Sequence, residues 1–200
     1  MATTEIALPV RSATLTDDSA GSAIPEIVRE MTTAATDPQL AQFVARFDDT
    51  TNEYLFWQFR LPGNYKDCDE STGHYLHVLF YMASDQTDNT KKVGFTASVV
   101  KVTPRGGGGS PAGDDDEMTS LDLTNDSADT VTEYITLDHA NPATNDRLYT
   151  IVLDMSDLWN DLTAGDYVIA GLRRQPEAPT LDDAVGDACV VAVSFEYPVG

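Results

Sequence analysis

From residue 43 onward, the chain is a succession of short runs in which apolar and polar residues alternate, with turn-forming clusters between them. Successive side chains of a β-strand point to opposite faces, so an alternating run has one face to bury and one to expose. The runs are rich in Val, Tyr, Phe and Thr, which suit a half-buried pleated surface. No long helical segments alternate with them, which disfavours a parallel α/β sheet. The pattern therefore predicts an all-β fold.

The number of alternating runs narrows the architecture. They read QFVARF, EYLFWQFRL, HYLHVLFYM, KVGFTASVVKV, TVTEYITL, RLYTIVLDM, DYVIAGLRR and VVAVSFEY. About eight strands in two sheets is the strand count of a jelly roll, and an immunoglobulin-like sandwich is the nearest alternative. We predict an antiparallel two-sheet sandwich of the jelly-roll type over residues 43–200, and its strand order stays open.

Residues 1–42 differ in composition from the rest of the chain. The two Trp, eight Tyr and seven Phe of the sequence all lie beyond this segment, so we predict an N-terminal extended arm followed by the sandwich domain. In EIALPV, Ile6, Leu8 and Val10 alternate and would share one face of a strand. The apolar spacing over 24–31 allows a strand or a short helix, and we favour the helix.

The chain is strongly acidic, with 12 Lys and Arg against 33 Asp and Glu and a formal net charge of −21. Binding of nucleic acid depends on Lys and Arg contacts to phosphates, and an anionic membrane surface would repel this charge. We expect neither partner. The first twenty residues lack the apolar segment of a secretory signal, and no apolar run reaches the roughly 18 residues of a membrane helix. We expect a soluble protein that is made in a cytosol.

The cysteines and histidines form no recognisable metal or redox motif. Cys68 lies in a polar turn segment and Cys189 in an apolar run, so we expect a surface thiol and a core residue, both reduced. His74 and His77 are three apart on a predicted strand, which puts them on opposite faces. Zinc sites need three or four converging ligands. We therefore interpret these two residues and His139 as structural, and we predict no metal and no cofactor.

The carboxylates near Trp159 in the sequence are the best candidates for catalytic residues. A glycosidase would use two carboxylates around a sugar, and Asp154, Asp157 and Asp161 supply acids there. With 33 acidic residues in 200, close pairs arise by chance, so a solvated turn is the favoured interpretation. The sequence context of a nucleophilic Ser is also missing. We predict that the chain is not an enzyme.

The segment KVTPRGGGGSPAGDDDEM combines glycines with a run of acids. A phosphate-binding loop has a Lys after its last glycine, and here acids follow instead. Asp114, Asp115, Asp116 and Glu117 offer oxygens that suit calcium, but the EF-hand spacing is absent, so a calcium site is a minor alternative. The strands on either side need one another for stability, which argues against a linker between two domains. We predict a long flexible loop over 104–118 that projects from the sandwich.

Four segments carry a resemblance to a known family. FWQFRLPGNY ends one strand, and later AGDYVIAGLRRQ leads through the acidic stretch APTLDDAVGDA into CVVAVSFEYPVG at the end of the sequence. In this order, the segments resemble the jelly-roll decoration or cement proteins, which stabilise the heads of tailed bacteriophages, especially short-tailed phages of aquatic bacteria. The resemblance covers about residues 43–200.

The resemblance implies a non-enzymatic viral structural protein that binds the outside of the phage head and stabilises it. It further implies a homotrimer that contacts the major capsid protein, and a place on the capsid surface of the virion after synthesis in the host cytoplasm. In this family the arm helps to grip the shell, so Ile6, Leu8 and Val10 are candidate partner contacts through β-addition. The alternative that this strand joins the protein's own sheet stays equally open.

A second function class is a carbohydrate-binding or receptor-binding module of a head fibre or tail. It is suggested by Tyr65, Tyr75 and Trp159, which lie near predicted loops where the rings could stack on a sugar. Glycans are therefore an alternative partner.

Overall fold

The computed structural model describes residues 2–13, 24–31, 41–66, 73–84, 86, 90–102, 130–137, 147–156, 162–174, 176 and 180–200. Within these ranges the elements are β1 (Ala2–Ala7), a short 3₁₀ helix (Val10–Ser12), β2 (Glu26–Met31), β3 (Ala41–Phe47), β4 (Tyr54–Arg60), β5 (Tyr75–Met82), β6 (Lys92–Val102), β7 (Thr130–Thr136), β8 (Tyr149–Asp154), β9 (Tyr167–Arg174) and β10 (Ala188–Val199). The predicted loop 104–118 and residues Cys68, His139, Asp157, Trp159 and Asp161 lie outside the described ranges.

The strands form two antiparallel sheets. The larger sheet has the order β2-β3-β10-β5-β8, with β1 also paired to β10, and the smaller has the order β4-β9-β6-β7. Four nested pairs run through both sheets: β3 with β10, β4 with β9, β5 with β8 and β6 with β7. Such nesting is what results when one long hairpin of eight strands folds over into two sheets, as in a jelly roll. The predicted all-β, two-sheet antiparallel sandwich is confirmed.

The core lies between the two sheets, on the faces that the alternation predicts. On β5, Leu76, Val78, Phe80 and Met82 are all buried. The ring of Phe80 contacts that of Phe95 from the opposite sheet at a centroid distance of 5.3 Å. Large apolar side chains from both sheets thus close the space between them, which supplies the main stabilisation of a sandwich of this size. Among the described residues, no helix is long and apolar enough to cross a membrane.

The predicted short helix over 24–31 is wrong, because this segment forms strand β2. It pairs antiparallel with β3, from Glu26 opposite Arg46 to Met31 opposite Ala41. An isolated helix of this length is unstable because its nucleation is costly. Pairing with β3 instead provides hydrogen-bond partners for the backbone N–H and C=O groups along one edge of the segment.

Residues 2–13, the first that the structure describes, lie along the sandwich rather than away from it. Strand β1 pairs with the last half of β10, with Ile6 opposite Phe195, and Leu8 and Val10 are buried in the core of the same chain. The indole nitrogen of Trp57 donates a hydrogen bond of 3.0 Å to the carbonyl oxygen of Pro9. The two alternatives were that this strand joins another subunit or joins the sheet of its own chain. In the structure, β1 belongs to the sheet of its own chain. Contact of Ile6, Leu8 and Val10 with another subunit stays a prediction.

A buried ion pair fixes residues 182–186, which precede β10. The guanidinium of Arg174 is fully buried and donates to both carboxylate oxygens of Asp182, at 2.8 and 3.1 Å. It also donates to the carbonyl oxygens of Phe47, Ala184 and Gly186. One cation therefore ties the acidic segment before β10 to the end of β3.

Candidate functional site

Three potential metal ligands meet on the outer face of the larger sheet: Glu5 of β1, His77 of β5 and Glu196 of β10. Strand β10 lies between the other two strands, and Glu5 is directly opposite Glu196. The alternation of each strand explains the grouping. Ile6, Leu76 and Phe195 point to the core, so the neighbours of each in sequence point outward.

The three side chains lie close enough to act together. The Nε2 atom of His77 is 2.8 Å from a carboxylate oxygen of Glu196, and one ligand atom from each of the three residues lies within 4.8 Å of the others. Hydrogen bonds from the side chains of Thr3 and His77 hold the pKa of Glu196 below its usual value. The carboxylate of Glu196 is therefore favoured in its charged form, which is the form that binds cations.

His74 and His77 lie on opposite faces of the larger sheet, as their spacing predicts. His74 is buried, with its ring 5.4 Å from that of Tyr65 and 5.8 Å from that of Phe195, whereas His77 lies on the outer face beside Glu196. The two histidines therefore do not share a site. The potential ligands beside His77 are Glu5 and Glu196, which are brought to it by the pairing of β1 and β5 with β10 and which a search for His and Cys spacing does not find.

Burial of His74 has a consequence for stability. Burial lowers the pKa of the His74 ring to about 4, and the negative charge of Asp154 opposes this shift. The folded state thus prefers the neutral ring, while the ring in the unfolded chain takes up a proton near pH 6.5. Because the folded pKa is the lower one, this contribution to stability is present above pH 6.5 and is lost as the pH falls towards 4.

We expect the pH dependence of unfolding to report this group. Between pH 7 and pH 5, the proton uptake of His74 on unfolding should lower the free energy of unfolding by about 2 kcal/mol. His74→Gln removes the titrating ring, so the stability difference between wild type and variant should shrink by about that amount over the interval. Urea unfolding at several pH values measures it. A difference that stays constant with pH would contradict the assignment.

Of the other candidate residues, Asp154 lies in a turn and Cys189 lies in the core. Asp154 is exposed, and its carboxylate accepts a hydrogen bond of 3.1 Å from the backbone N–H of Ser156, as in a solvated turn. Cys189 is free and buried, as expected for a structural residue. Burial raises the pKa of its thiol to about 12, which keeps it protonated and unreactive at neutral pH.

Of the aromatic residues predicted to stack on a glycan, Tyr65 and Tyr75 lie in the described ranges, and neither is exposed. The prediction for Tyr65 is wrong: its ring is buried against Tyr197, at a centroid distance of 5.8 Å, because residue 65 forms a bridge with Val199 of the last strand. Tyr75 is half-buried. Of the described tyrosines, Tyr134 and Tyr167 have the most exposed rings.

A cleft of about 560 Å³ opens beside one of these tyrosines. It is lined by Arg60, Leu61, Pro62, Gly63, Ala164 and Gly165. The guanidinium of Arg60 lies 5.6 Å from the ring centroid of Tyr167, and its Nε donates a hydrogen bond of 2.7 Å to the carbonyl oxygen of Gly165. An exposed ring with an adjacent planar donor is a combination that can bind a polar ring such as a sugar.

A further exposed surface is apolar. Leu148, immediately before β8, is 55% exposed, and Val152 within β8 is 43% exposed. Strand β8 is the outermost strand on one side of the larger sheet in the described part of the chain. Its sequence, YTIVLD, has neither Lys nor Pro, the residues with which many proteins protect an edge strand. The edge of β8 is therefore suited to contact with another protein.

Comparison with known proteins assigns the chain to no family. No family model matches the chain, and no curated protein matches it. Among solved structures, one match comes from work described as "Structural basis for the promiscuous specificity of the carbohydrate-binding modules from the beta-sandwich super family", with 11% sequence identity and a TM-score of 0.35. The match covers 96% of this chain and 56% of the other, so the chain spans little more than half the length of that protein.

Proposed function

We propose that the chain is a non-enzymatic structural protein of a tailed-phage virion, which decorates the outside of the head and stabilises it. The observation that carries the proposal is the exposed apolar surface of Leu148 and Val152 at the edge strand β8. Exposed apolar side chains at an edge strand favour association with another protein. The jelly roll supplies a rigid support for such a contact.

The occupant of this edge in our proposal is a second copy of the chain, in a closed homotrimer. Each copy has a formal net charge of −21, so copies repel one another over most of their surface and an apolar contact must offset that repulsion. Homo-oligomers are usually closed and symmetric, which removes the exposed edge from every copy at once. The acidic remainder of each subunit then faces the medium, and the trimer as a whole binds the major capsid protein.

The mass of the protein in solution tests the subunit contact. The wild-type chain of 21.7 kDa is expected to form a species three times that mass. Leu148→Glu places a charge in the apolar contact and should weaken association at least tenfold, which is about 1.4 kcal/mol. Val185→Glu is the matched control, since Val185 is 60% exposed and belongs to the segment before β10 rather than to β8. Equal effects of the two substitutions would contradict the contact at β8.

A second candidate function is glycan binding, favoured by the cleft beside Tyr167 and Arg60. In this proposal the ring of Tyr167 stacks on a sugar and Arg60 donates hydrogen bonds to its hydroxyls. A glycan array with wild type and Tyr167→Ala tests it. Signals that disappear in the variant would support glycan binding, and an array without signals would exclude it for the glycans displayed.

A further inference from the structure

We propose that Glu5, His77 and Glu196 form a binding site for a transition-metal dication of the Zn²⁺ class, which fastens the N-terminal strand β1 to the body of the jelly roll. The proposal goes beyond the proposed function and does not depend on it. Each of the three ligands belongs to a different strand: β1, β5 and β10.

The distances between the ligand atoms suit one shared ion. Zinc binds His nitrogen and carboxylate oxygen at about 2.0–2.2 Å, so two ligands of one ion lie no more than roughly 4.4 Å apart. The atoms of the three residues are already within 4.8 Å of one another. Small side-chain rotations therefore suffice, and they replace the direct contact of 2.8 Å between His77 and Glu196 by two bonds to the metal.

The charges around the site also favour a cation. Glu5 and Glu196 are opposite one another across the β1–β10 pair, and like charges in this arrangement destabilise a sheet. A dication between them converts that repulsion into attraction. The formal net charge of −21 further raises the local concentration of cations.

The ligand types indicate the class of metal. An imidazole nitrogen suits zinc and its transition-metal neighbours, whereas calcium takes six to eight oxygen ligands. Three protein ligands leave a position for water, as in open zinc sites. Thr3 interacts with Glu196 through its side chain and would orient this ligand, as a partner outside the ligand set commonly does.

Such a site would make the attachment of β1 dependent on metal. Glu5 is the ligand from β1, and the strand is followed by the buried residues Leu8 and Val10. A metal at this position therefore restrains the whole segment up to Arg11, whose guanidinium lies over the ring of Phe43 at 4.3 Å. Trypsin cleaves after Arg, so cleavage after Arg11 reports how often the segment detaches.

The test is calorimetric titration of the tag-free full chain with ZnCl₂ and with CaCl₂. We expect Zn²⁺ binding that His77→Gln and Glu5→Gln each weaken at least tenfold, and weaker binding of Ca²⁺. Glu133→Gln is the matched control, because Glu133 is exposed on β7 of the other sheet, and it should leave Zn²⁺ binding unchanged. Zn²⁺ should also slow tryptic cleavage after Arg11 several-fold in wild type and have no such effect in His77→Gln.

Three results would overturn the proposal. They are a lack of Zn²⁺ binding by the wild-type chain, Zn²⁺ binding that is unaltered in both His77→Gln and Glu5→Gln, and a preference for Ca²⁺. Circular dichroism of each variant checks that it retains the β-sheet spectrum. The two proposals are separable, because a chain that forms trimers without binding Zn²⁺ contradicts this one alone.

Discussion

Asp182→Ala is expected to lower the free energy of unfolding by about 3–5 kcal/mol, because it leaves the buried guanidinium of Arg174 without its counter-charge. Asp182 accepts two hydrogen bonds from Arg174, and both side chains are almost completely buried. Asp182 also accepts a hydrogen bond from the backbone N–H of Gly94. Urea unfolding at neutral pH measures the loss.

Its neighbour Asp183 provides the matched control. This carboxylate forms a partly exposed ion pair of 3.3 Å with Lys91 and accepts a hydrogen bond from the backbone N–H of Lys92, so Asp183→Ala should cost only about 1 kcal/mol. The double variant Arg174→Met with Asp182→Leu removes both charges, but it also leaves the carbonyl oxygens of Phe47, Ala184 and Gly186 without their donor, so it should stay less stable than wild type. Equal losses for Asp182→Ala and Asp183→Ala would contradict the role of the buried pair.

Leu8→Ala is expected to lower the free energy of unfolding by about 2–5 kcal/mol, the usual range for a buried leucine. Leu8 is buried in the core of the same chain, and its backbone N–H donates to the carbonyl oxygen of Val193. The substitution leaves this backbone bond intact and creates a cavity. Chemical unfolding at one fixed protein concentration measures the effect.

The exposed neighbour Ala7 is the control for this experiment. Ala7→Ser changes a side chain on the outer face of β1 and should alter stability by no more than about 0.5 kcal/mol. If Leu8 instead contacts another subunit, Leu8→Ala should weaken association and leave the stability of the monomer unchanged. That outcome would show that the strand does not belong to its own sheet in solution.

The strands were predictable because the alternation of side chains is a local property. The runs HYLHVLFYM and KVGFTASVVKV became β5 and β6, with the expected apolar faces buried. Strand order depends on pairing between distant segments, so the nested pairs had to come from the structure. The short apolar pattern over 24–31 fits both the helical period and the strand period, so the sequence alone did not decide between them. The segment is a strand because it pairs with β3.

The candidate site was harder to predict from the sequence, because it too depends on pairing between distant segments. In the sequence, 119 residues separate His77 from Glu196, and the alternation in EIALPV points to its apolar residues rather than to Glu5. The signal was present in the polar face of EIALPV and VVAVSFEY, where a Glu alternates with the apolar residues. Only the position of β10 between β1 and β5 brings these faces together.

The binding of the purified chain to phage heads tests the proposed function most directly. Under the proposal a tailed phage encodes the chain, so heads of that phage, prepared without the chain, are mixed with wild-type protein and sedimented. We expect wild-type protein to sediment with the heads until its sites are saturated, and Leu148→Glu to bind at least tenfold more weakly than Val185→Glu. Wild-type protein that stays in the supernatant while intact heads sediment would contradict the proposal that this jelly roll decorates the capsid.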